Sequence, residues 1–259
     1  MAETEANGHR SAPLRVVFLT GRDHPLTAGL LARLHATPGI SLQQVILWPQ
    51  GWQAQAALAA ACRDLQIPLH VCRDVTEAGT IALIKNLDCN VIATCATSAV
   101  AEVIARIPSA GCLGLYHGDA PAWTGASNVF WALWNRAAHV SAAVALPGDG
   151  RNSEVVCRQT IPLCSYDDLT SCQAKLDELS MSIYPRALRE MAAGRTDHSN
   201  PVITIQRPRH PNLAQKLTLH VRLFFSRLNL YQLVRRFVRD SGYLVVLLAE
   251  KVKIGRAHV

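Results

Sequence analysis

The sequence predicts an α/β fold with a Rossmann-like, mostly parallel β-sheet and helices on both of its faces. Five short apolar runs, rich in Val, Ile and Leu, alternate with helix-like segments of about ten residues, and this alternation is typical of βαβ units. Crossovers between parallel strands are right-handed, which places the helices in layers on the sheet. With 259 residues, of which 49% are apolar, the chain can form one good-sized domain and an appendage.

The individual elements can be assigned in chain order. The five apolar runs predict strands at residues 14–20, 41–48, 69–75, 89–94 and 111–116, and the segments between them predict helices at 26–35, 53–65, 77–86 and 98–106. Beyond them, the pattern predicts a helix at 127–133, strands at 140–146 and 154–161, and a long helix at 166–191. Thr76 is suited to capping the 77–86 helix, and Ser165 and Gly194 are suited to the two ends of the last one.

The two ends of the chain differ in character from the body. Residues 1–13 are small and polar, so we expect them to be disordered, and they contain no apolar signal-peptide segment, which favours a cytoplasmic protein. We expect residues 14–199 to form the main domain and residues 200–253 to form a basic, mainly helical appendage that begins with a Pro-interrupted linker. Residues 254–259 (IGRAHV) resemble a translated sequencing adaptor, so we expect them to be non-native and the natural chain to continue past Lys253.

The net charge of +7 comes from the appendage. From residue 200 onward, eleven Lys and Arg stand against two acidic residues, giving +9, whereas the first 199 residues carry −2. Apolar residues at helical spacing from 213 to 240, with Arg and Lys between them, predict one or two amphipathic basic helices. Such a helix can pack on the body, lie on a membrane surface or contact RNA, while the apolar run at 243–249 is too short to span a bilayer.

The eight cysteines do not follow the spacing of a metal site. None belongs to a C-x-x-C pair and most lie in apolar runs, so we expect reduced, buried, structural thiols and no metal. The first predicted strand is followed by GRDHPLTAG, which lacks G-x-G-x-x-G, and the chain has no Walker-type loop. NAD binding therefore has little support.

A polar loop at residues 114–125 (GLYHGDAPAWTG) is the best candidate for a functional site. It joins the fifth predicted strand to a helix, at the edge where open α/β sheets bind their ligands. His117 is the candidate acid or base at its centre. Asp119 on the same loop and Asp149 in the turn at 147–153 could orient the His117 ring, although Asp is also favoured in such turns for its own backbone hydrogen bonds.

Four short motifs follow one another around and after this loop. They are LYH at 115–117, PAWTG at 121–125, FWAL at 130–133 and GRNSE at 150–154, followed by Gln159. Together with the order of elements over residues 14–191, they resemble the 10-formyltetrahydrofolate-dependent formyltransferase family. Members of that family formylate methionyl-tRNA, glycinamide ribonucleotide or amino sugars on nucleotides, and the wording SNVFWAL is closer to the sugar-amine members.

The resemblance implies the formyltransferase fold and an enzyme that uses 10-formyltetrahydrofolate as formyl donor. The acceptor would be the primary amine of a small metabolite such as an amino sugar. The residues implied to contact the folate are Ala96, Thr97 and Val100, which match the wall for the pterin, together with Leu115 and Gly150.

The catalytic trio of the family is only partly kept. Its Asn, His and Asp fall on Leu115, His117 and Asn152. The family's Asn donates to the oxyanion of formyl transfer, and losing one such donor costs ~10²–10³ in rate. Asn152 carries no charge with which to raise the pKa of an imidazole, unlike the carboxylate it replaces. Restoring both positions should therefore raise any activity.

Two other functions remain open from the residues. The chain could bind folate or an amine, or serve as a partner subunit, without turnover, because two of three catalytic positions have changed. It could also resemble the methionyl-tRNA members, although nothing after residue 200 reads as the several short strands of their additional domain.

Overall fold

The computed structural model describes residues 12–21, 25–48, 56–95, 102–118, 127–147, 152–164, 167–193, 202–204 and 210–228. By its internal contacts the chain divides into two compact units. The first unit comprises Met1–Leu163 and Leu169–His210, and the second comprises Cys164–Asp168 and Pro211–Val259.

Strands and helices alternate through the first unit. The strands are β1 (Leu14–Thr20), β2 (Ile40–Leu47), β3 (Leu69–Val71), β4 (Val91–Thr94), β5 (Cys112–His117), β6 (His139–Pro147), β7 (Asn152–Pro162) and β8 (Val202–Thr204). The helices are α1 (Pro25–His35), α2 (Ala56–Asp64), α3 (Ala78–Asn86), α4 (Glu102–Ala105), α5 (Asn128–Trp134) and α6 (Leu169–Ala192), and the second unit contributes α7 (Leu213–Leu228).

All eight strands lie in one sheet, in the order β3-β2-β1-β4-β5-β6-β7-β8. Strands β1 to β5 are parallel to their neighbours, whereas β6, β7 and β8 are each antiparallel to the strand before them. The parallel strands therefore end at a common edge, here called the carboxyl edge. Strand β6 begins at that edge and runs back to the opposite one, the amino edge.

Helices cover both faces of the sheet. On one face, α3 and α4 place Ile84 and Ile104 in a core cluster with side chains of β1, β2 and β4 and with Cys112 of β5. Side chains alternate between faces along a strand, so Leu113, Leu115 and His117 lie on the other face. That face is covered by α6, which contacts β5, β6, β7 and α1.

Helix α6 runs along the sheet from the carboxyl edge to the amino edge. Its Ser180 meets His117, its Tyr184 meets the backbone of Leu113, and its Met191 approaches Gly111. The long helix predicted at 166–191 thus packs its apolar side along β5.

The predicted α/β fold with helices on both faces is confirmed, with three local differences. Strand β3 ends at Val71 rather than at residue 75. Thr76 does not cap α3: its hydroxyl and its N–H both donate to Asp74 Oδ1 at 2.8 Å in the preceding turn, and the N-cap residue is Glu77. Residues 202–204 of the predicted linker form β8, which pairs with the start of β7.

The start of α7 is fixed by a reciprocal cap. The N–H of Gln215 donates to Asn212 Oδ1 at 2.8 Å, and the N–H of Asn212 donates to Gln215 Oε1 at 2.9 Å, which is the capping-box arrangement. The predicted amphipathic helix is therefore present up to Leu228. Its predicted continuation to residue 240, the apolar run at 243–249 and residues 254–259 lie outside the described residues.

The cysteines are all free thiols. Six are buried, Cys95 is partly exposed and Cys164 is exposed, so Cys164 differs from the expected buried position. No group of three or more His, Cys, Asp or Glu side chains within the described ranges could hold a metal ion. Among the helices of the described residues, none combines the length and apolar character needed to cross a bilayer.

Candidate active site at the end of the fifth strand

His117 lies at the carboxyl edge, beyond the end of the neighbouring parallel strand. The last register partners of β4 and β5 are Thr94 and Gly114, so β5 continues three residues further to His117. On its other side, His117 pairs with Ala142 of β6. The imidazole is half-buried at a step in the sheet edge, a position typical of ligand sites in open α/β sheets.

The imidazole is held by a buried hydroxyl of α6. Its Nε2 lies 2.7 Å from Ser180 Oγ, and Ser180 Oγ lies 2.6 Å from the carbonyl oxygen of Leu176. A carbonyl oxygen can only accept, so the single hydroxyl proton of Ser180 points at Leu176. Ser180 Oγ therefore accepts from His117, which places the proton of the neutral ring on Nε2 and the lone pair on Nδ1.

Sequence reasoning did not identify Ser180, although the sequence contains a signal for it. Ser180 is fully buried, in the middle of α6, among apolar residues at helical spacing such as Leu176, Ile183 and Tyr184. A hydroxyl in the centre of an apolar helix face needs a partner, and its bond to the carbonyl four residues earlier supplies only one. The second partner is His117.

The residue after the histidine is fixed to β6. Gly118 N–H donates to the carbonyl of Ser141 at 2.8 Å, and Ser141 Oγ donates to the carbonyl of Gly118 at 2.7 Å. Gly118 has φ of 111°, a conformation that favours glycine. The chain therefore turns away from the strand directly after His117, with the imidazole held at a defined place.

Tyr184 joins α6 to the two strands that end at the site. Its hydroxyl oxygen lies 2.7 Å from the carbonyl oxygen of Leu113 and 3.1 Å from that of Thr94, and its single proton is shared between these two acceptors. Burial raises the pKa of Tyr184 well above its usual range, so the hydroxyl stays protonated and remains a donor. The ends of β4 and β5 are thus held together one helical turn from Ser180.

Leu115 lies two residues before His117, on the same face of β5. Its side chain is 8% exposed and has no hydrogen-bonding group. The position at which the family resemblance implies an oxyanion donor is therefore apolar and buried.

Tyr116 lies between these residues and faces the opposite side of the sheet. Its ring packs over Gly114, where a Cβ atom would lie 2.9 Å from Tyr116 Cε2, so glycine at 114 makes room for the ring. The Tyr116 hydroxyl lies 3.3 Å from Ser153 Oγ, and burial raises the pKa of Tyr116. Tyr116 is part of the core beside Ala143 and Val155 and does not share the face of His117.

Asn152 is not level with His117 in the strand register. His117 is level with Ala142 on β6, whereas Ser153, next to Asn152, is level with Pro147, five residues further along β6. The hydrogen bond between Ser153 Oγ and the Tyr116 hydroxyl nevertheless keeps the start of β7 within reach of a side chain next to His117. The grouping of Asn152 with His117 rests on the family resemblance and stays a prediction.

The remaining predicted site residues fall outside the described residues. They are Asp119, Asp149, Ala96, Thr97, Val100 and Gly150, and the cap residues Ser165 and Gly194 fall outside as well.

Comparisons with known proteins bear on the fold. No protein-family model and no curated protein sequence matches this chain, but solved structures do. A phosphoribosylglycinamide formyltransferase from Coxiella burnetii is similar with a TM-score of 0.62 and 18% identity, over 74% of this chain and 93% of that one. Glycinamide ribonucleotide transformylase 1 from Symbiobacterium toebii has a TM-score of 0.61 and 14% identity, over 75% and 95% of the two chains.

A third similar structure is a formyltetrahydrofolate deformylase from Pseudomonas syringae. It has a TM-score of 0.61 and 16% identity, and the match covers 76% of this chain and 67% of that one. The fold expected from the sequence motifs is therefore confirmed: this chain has the formyltransferase fold.

Proposed function

We propose that this chain transfers a formyl group from 10-formyltetrahydrofolate to the primary amine of a small metabolite such as an amino sugar. The observation that carries the proposal is the half-buried imidazole of His117, oriented by Ser180 at the carboxyl edge of a formyltransferase fold. The solved structures with this fold are named for reactions of formyl groups.

The place for the formyl donor is the step between β4 and β5. Thr94 is level with Gly114, and Leu115 and His117 lie beyond it on the face of α6. A bound 10-formyl donor would supply an electrophilic formyl carbon. Leu115 offers it an apolar wall, and the carbonyl groups of Thr94 and Leu113 are already engaged by Tyr184.

His117 has the proton arrangement that the transfer needs. When the amine nitrogen bonds to the formyl carbon and the bond to the donor nitrogen breaks, one proton must leave the amine and one must reach the donor nitrogen. A neutral ring with its proton on Nε2 accepts the amine proton at Nδ1, and can then release it to the departing nitrogen. Ser180 keeps Nε2 occupied, so that Nδ1 is the atom that exchanges the proton.

A second candidate function is binding of folate or an amine without turnover. Its support is the pair of departures from the family trio: Leu115 is buried and apolar, and Asn152 carries no charge where the resemblance implies an Asp. Loss of the oxyanion donor alone lowers the expected rate by ~10²–10³. Turnover is therefore expected to be slow. In a chain that only binds, turnover would be lost completely.

The experiment is to measure amine-dependent release of tetrahydrofolate from 10-formyltetrahydrofolate. The acceptors are nucleotide-linked amino sugars, small primary amines and methionyl-tRNA, each tested with the wild-type chain and with His117→Ala. We expect release with an amino sugar and a loss of ~10²-fold or more in the variant. Folate binding without release for any acceptor would support the binding module, release only with methionyl-tRNA would reassign the acceptor, and full activity of His117→Ala would refute the proposed site.

A further inference from the structure

We propose that helix α7 binds the surface of an anionic lipid membrane. Four apolar side chains are exposed along it: Leu213 is 83% exposed, Leu217 65%, Val221 47% and Phe224 60%. Their spacing of four, four and three residues puts them on one side of the helix. We call this set the apolar stripe. The proposal does not depend on the formyl-transfer reaction.

The apolar stripe is not the side by which α7 is buried. Leu219, on another side of the helix, has no exposed surface, which shows that a different face of α7 is covered. The cap formed by Asn212 and Gln215 fixes where the helix begins. The stripe is therefore a continuous exposed surface of a defined helix, about three turns long.

The charges around the stripe favour an anionic partner. Lys216 and His220 are exposed and lie beside the stripe at helical spacing, and residues 213–228 contain no acidic residue. Residues 200–239 together contain eight Lys and Arg and no Asp or Glu. Each basic side chain close to an anionic bilayer adds to the attraction, which salt screens.

This charge pattern decides between the occupants of an exposed apolar face. A second copy of the chain would bring a helix of the same positive charge against this one, so self-association is disfavoured. RNA would contact the basic side chains but would make no use of the apolar stripe. An interfacial amphipathic helix uses both, since the apolar side enters the acyl boundary while the basic side chains meet the headgroups.

Vesicle binding by the full chain tests the proposal. Phosphatidylcholine vesicles with and without phosphatidylserine are sedimented with the wild-type chain, with Leu217→Gln/Val221→Gln, and with the control Thr218→Gln, which changes an exposed residue off the stripe. We expect binding only to the phosphatidylserine vesicles and a large loss at about 0.5 M salt. The double variant should bind about tenfold or more weakly, and the control should bind like the wild type.

Other outcomes would overturn the proposal. They are equal binding to both vesicle types, no binding at all, or unchanged binding of the double variant when circular dichroism shows it folded. A wild-type dimer in sedimentation that the double variant loses would identify a second copy as the occupant. Binding to an RNA oligonucleotide that resists the double substitution, without vesicle binding, would identify RNA.

Discussion

At the scale of single residues, the hydrogen bond between His117 and Ser180 gives the candidate site its chemistry. A His at the end of a strand could present either ring nitrogen to a substrate, and the second bond of Ser180 to Leu176 removes that freedom. Partners of this kind commonly set which nitrogen of a histidine is protonated. Ser180 is therefore a positioning residue that acts through His117.

Replacing Ser180 should release the choice of tautomer. In ¹⁵N spectra recorded at a pH where the His117 ring is neutral, we expect the wild-type ring to carry its proton on Nε2. We expect Ser180→Ala to give a mixture of the two tautomers. The control is Ser182→Ala on the same helix. The Ser182 hydroxyl donates to the carbonyl of Leu179 and does not contact His117. Unchanged His117 resonances in Ser180→Ala would show that this hydroxyl does not set the tautomer.

The buried thiol of Cys112 predicts a pH dependence of stability. Burial raises its pKa from 9.0 to about 12, so between these values the folded state holds a proton that the unfolded state loses. The free energy of unfolding therefore falls as pH rises from about 9 towards 12, by up to ~1.4 kcal/mol per pH unit from this group. In denaturant unfolding, the free energy of unfolding of Cys112→Ala should fall less steeply with pH, by that amount per pH unit. At pH 7 the variant should differ from the wild type only by a constant free energy. An equal slope in both proteins would contradict the assignment.

At the scale of elements, the packing of α6 along β5 builds the site. Ser180 meets His117 and Tyr184 meets Leu113 on β5, and Met191 approaches Gly111 just before the strand begins. Tyr184 makes the most specific of these contacts, because one hydroxyl serves carbonyl oxygens of both β4 and β5.

Removal of the Tyr184 hydroxyl should loosen the ends of both strands. Tyr184→Phe leaves two carbonyl oxygens with one donor fewer in a buried place, and we expect the free energy of unfolding to fall by ~1–3 kcal/mol. Amide hydrogen exchange should speed up at the ends of β4 and β5 before it does elsewhere. Ser182→Ala, which removes a hydroxyl from an exposed position of the same helix, is the control. A stability equal to that of the wild type would mean that the hydroxyl contributes nothing.

The elements show how far a sequence can be interpreted. The apolar runs located β1, β2, β4 and β5 because buried parallel strands need continuous apolar side chains on both faces. Strand β8 was missed since its three residues lie between prolines and its pairing with β7 is a tertiary contact. Thr76 is a suitable cap by type, but Asp74 competes for both its hydroxyl and its N–H.

Part of the candidate site could also be predicted from the sequence. His117 could be identified from the loop because a strand end and a motif coincide there. Ser180 could be reached only through the fold, as it lies 63 residues away in the chain. The grouping of Asn152 with His117 stays a prediction, because motif spacing and strand register alone do not give the distance between the two side chains.

At the scale of the whole molecule, the chain combines a formyltransferase fold and a candidate site around His117 with a basic helix in a second unit. The strand register distinguishes the two positions of the family trio that have changed, Leu115 and Asn152. The donor position is Leu115, two residues before His117 on the same face of β5, whereas Asn152 is not level with His117 in the register. Repair of the family trio should therefore work at one position and not at the other.

The most direct test is the rate of amine-dependent formyl transfer by Leu115→Asn and Asn152→Asp, each made alone and compared with the wild type after confirmation of folding. Leu115→Asn places an amide donor beside His117 and should raise kcat by ~10-fold or more, within the ~10²–10³ that such a donor supplies. Asn152→Asp, at a position that the register does not make level with His117, should leave the rate unchanged. A gain from Asn152→Asp with none from Leu115→Asn would contradict a site centred on His117 at the end of β5.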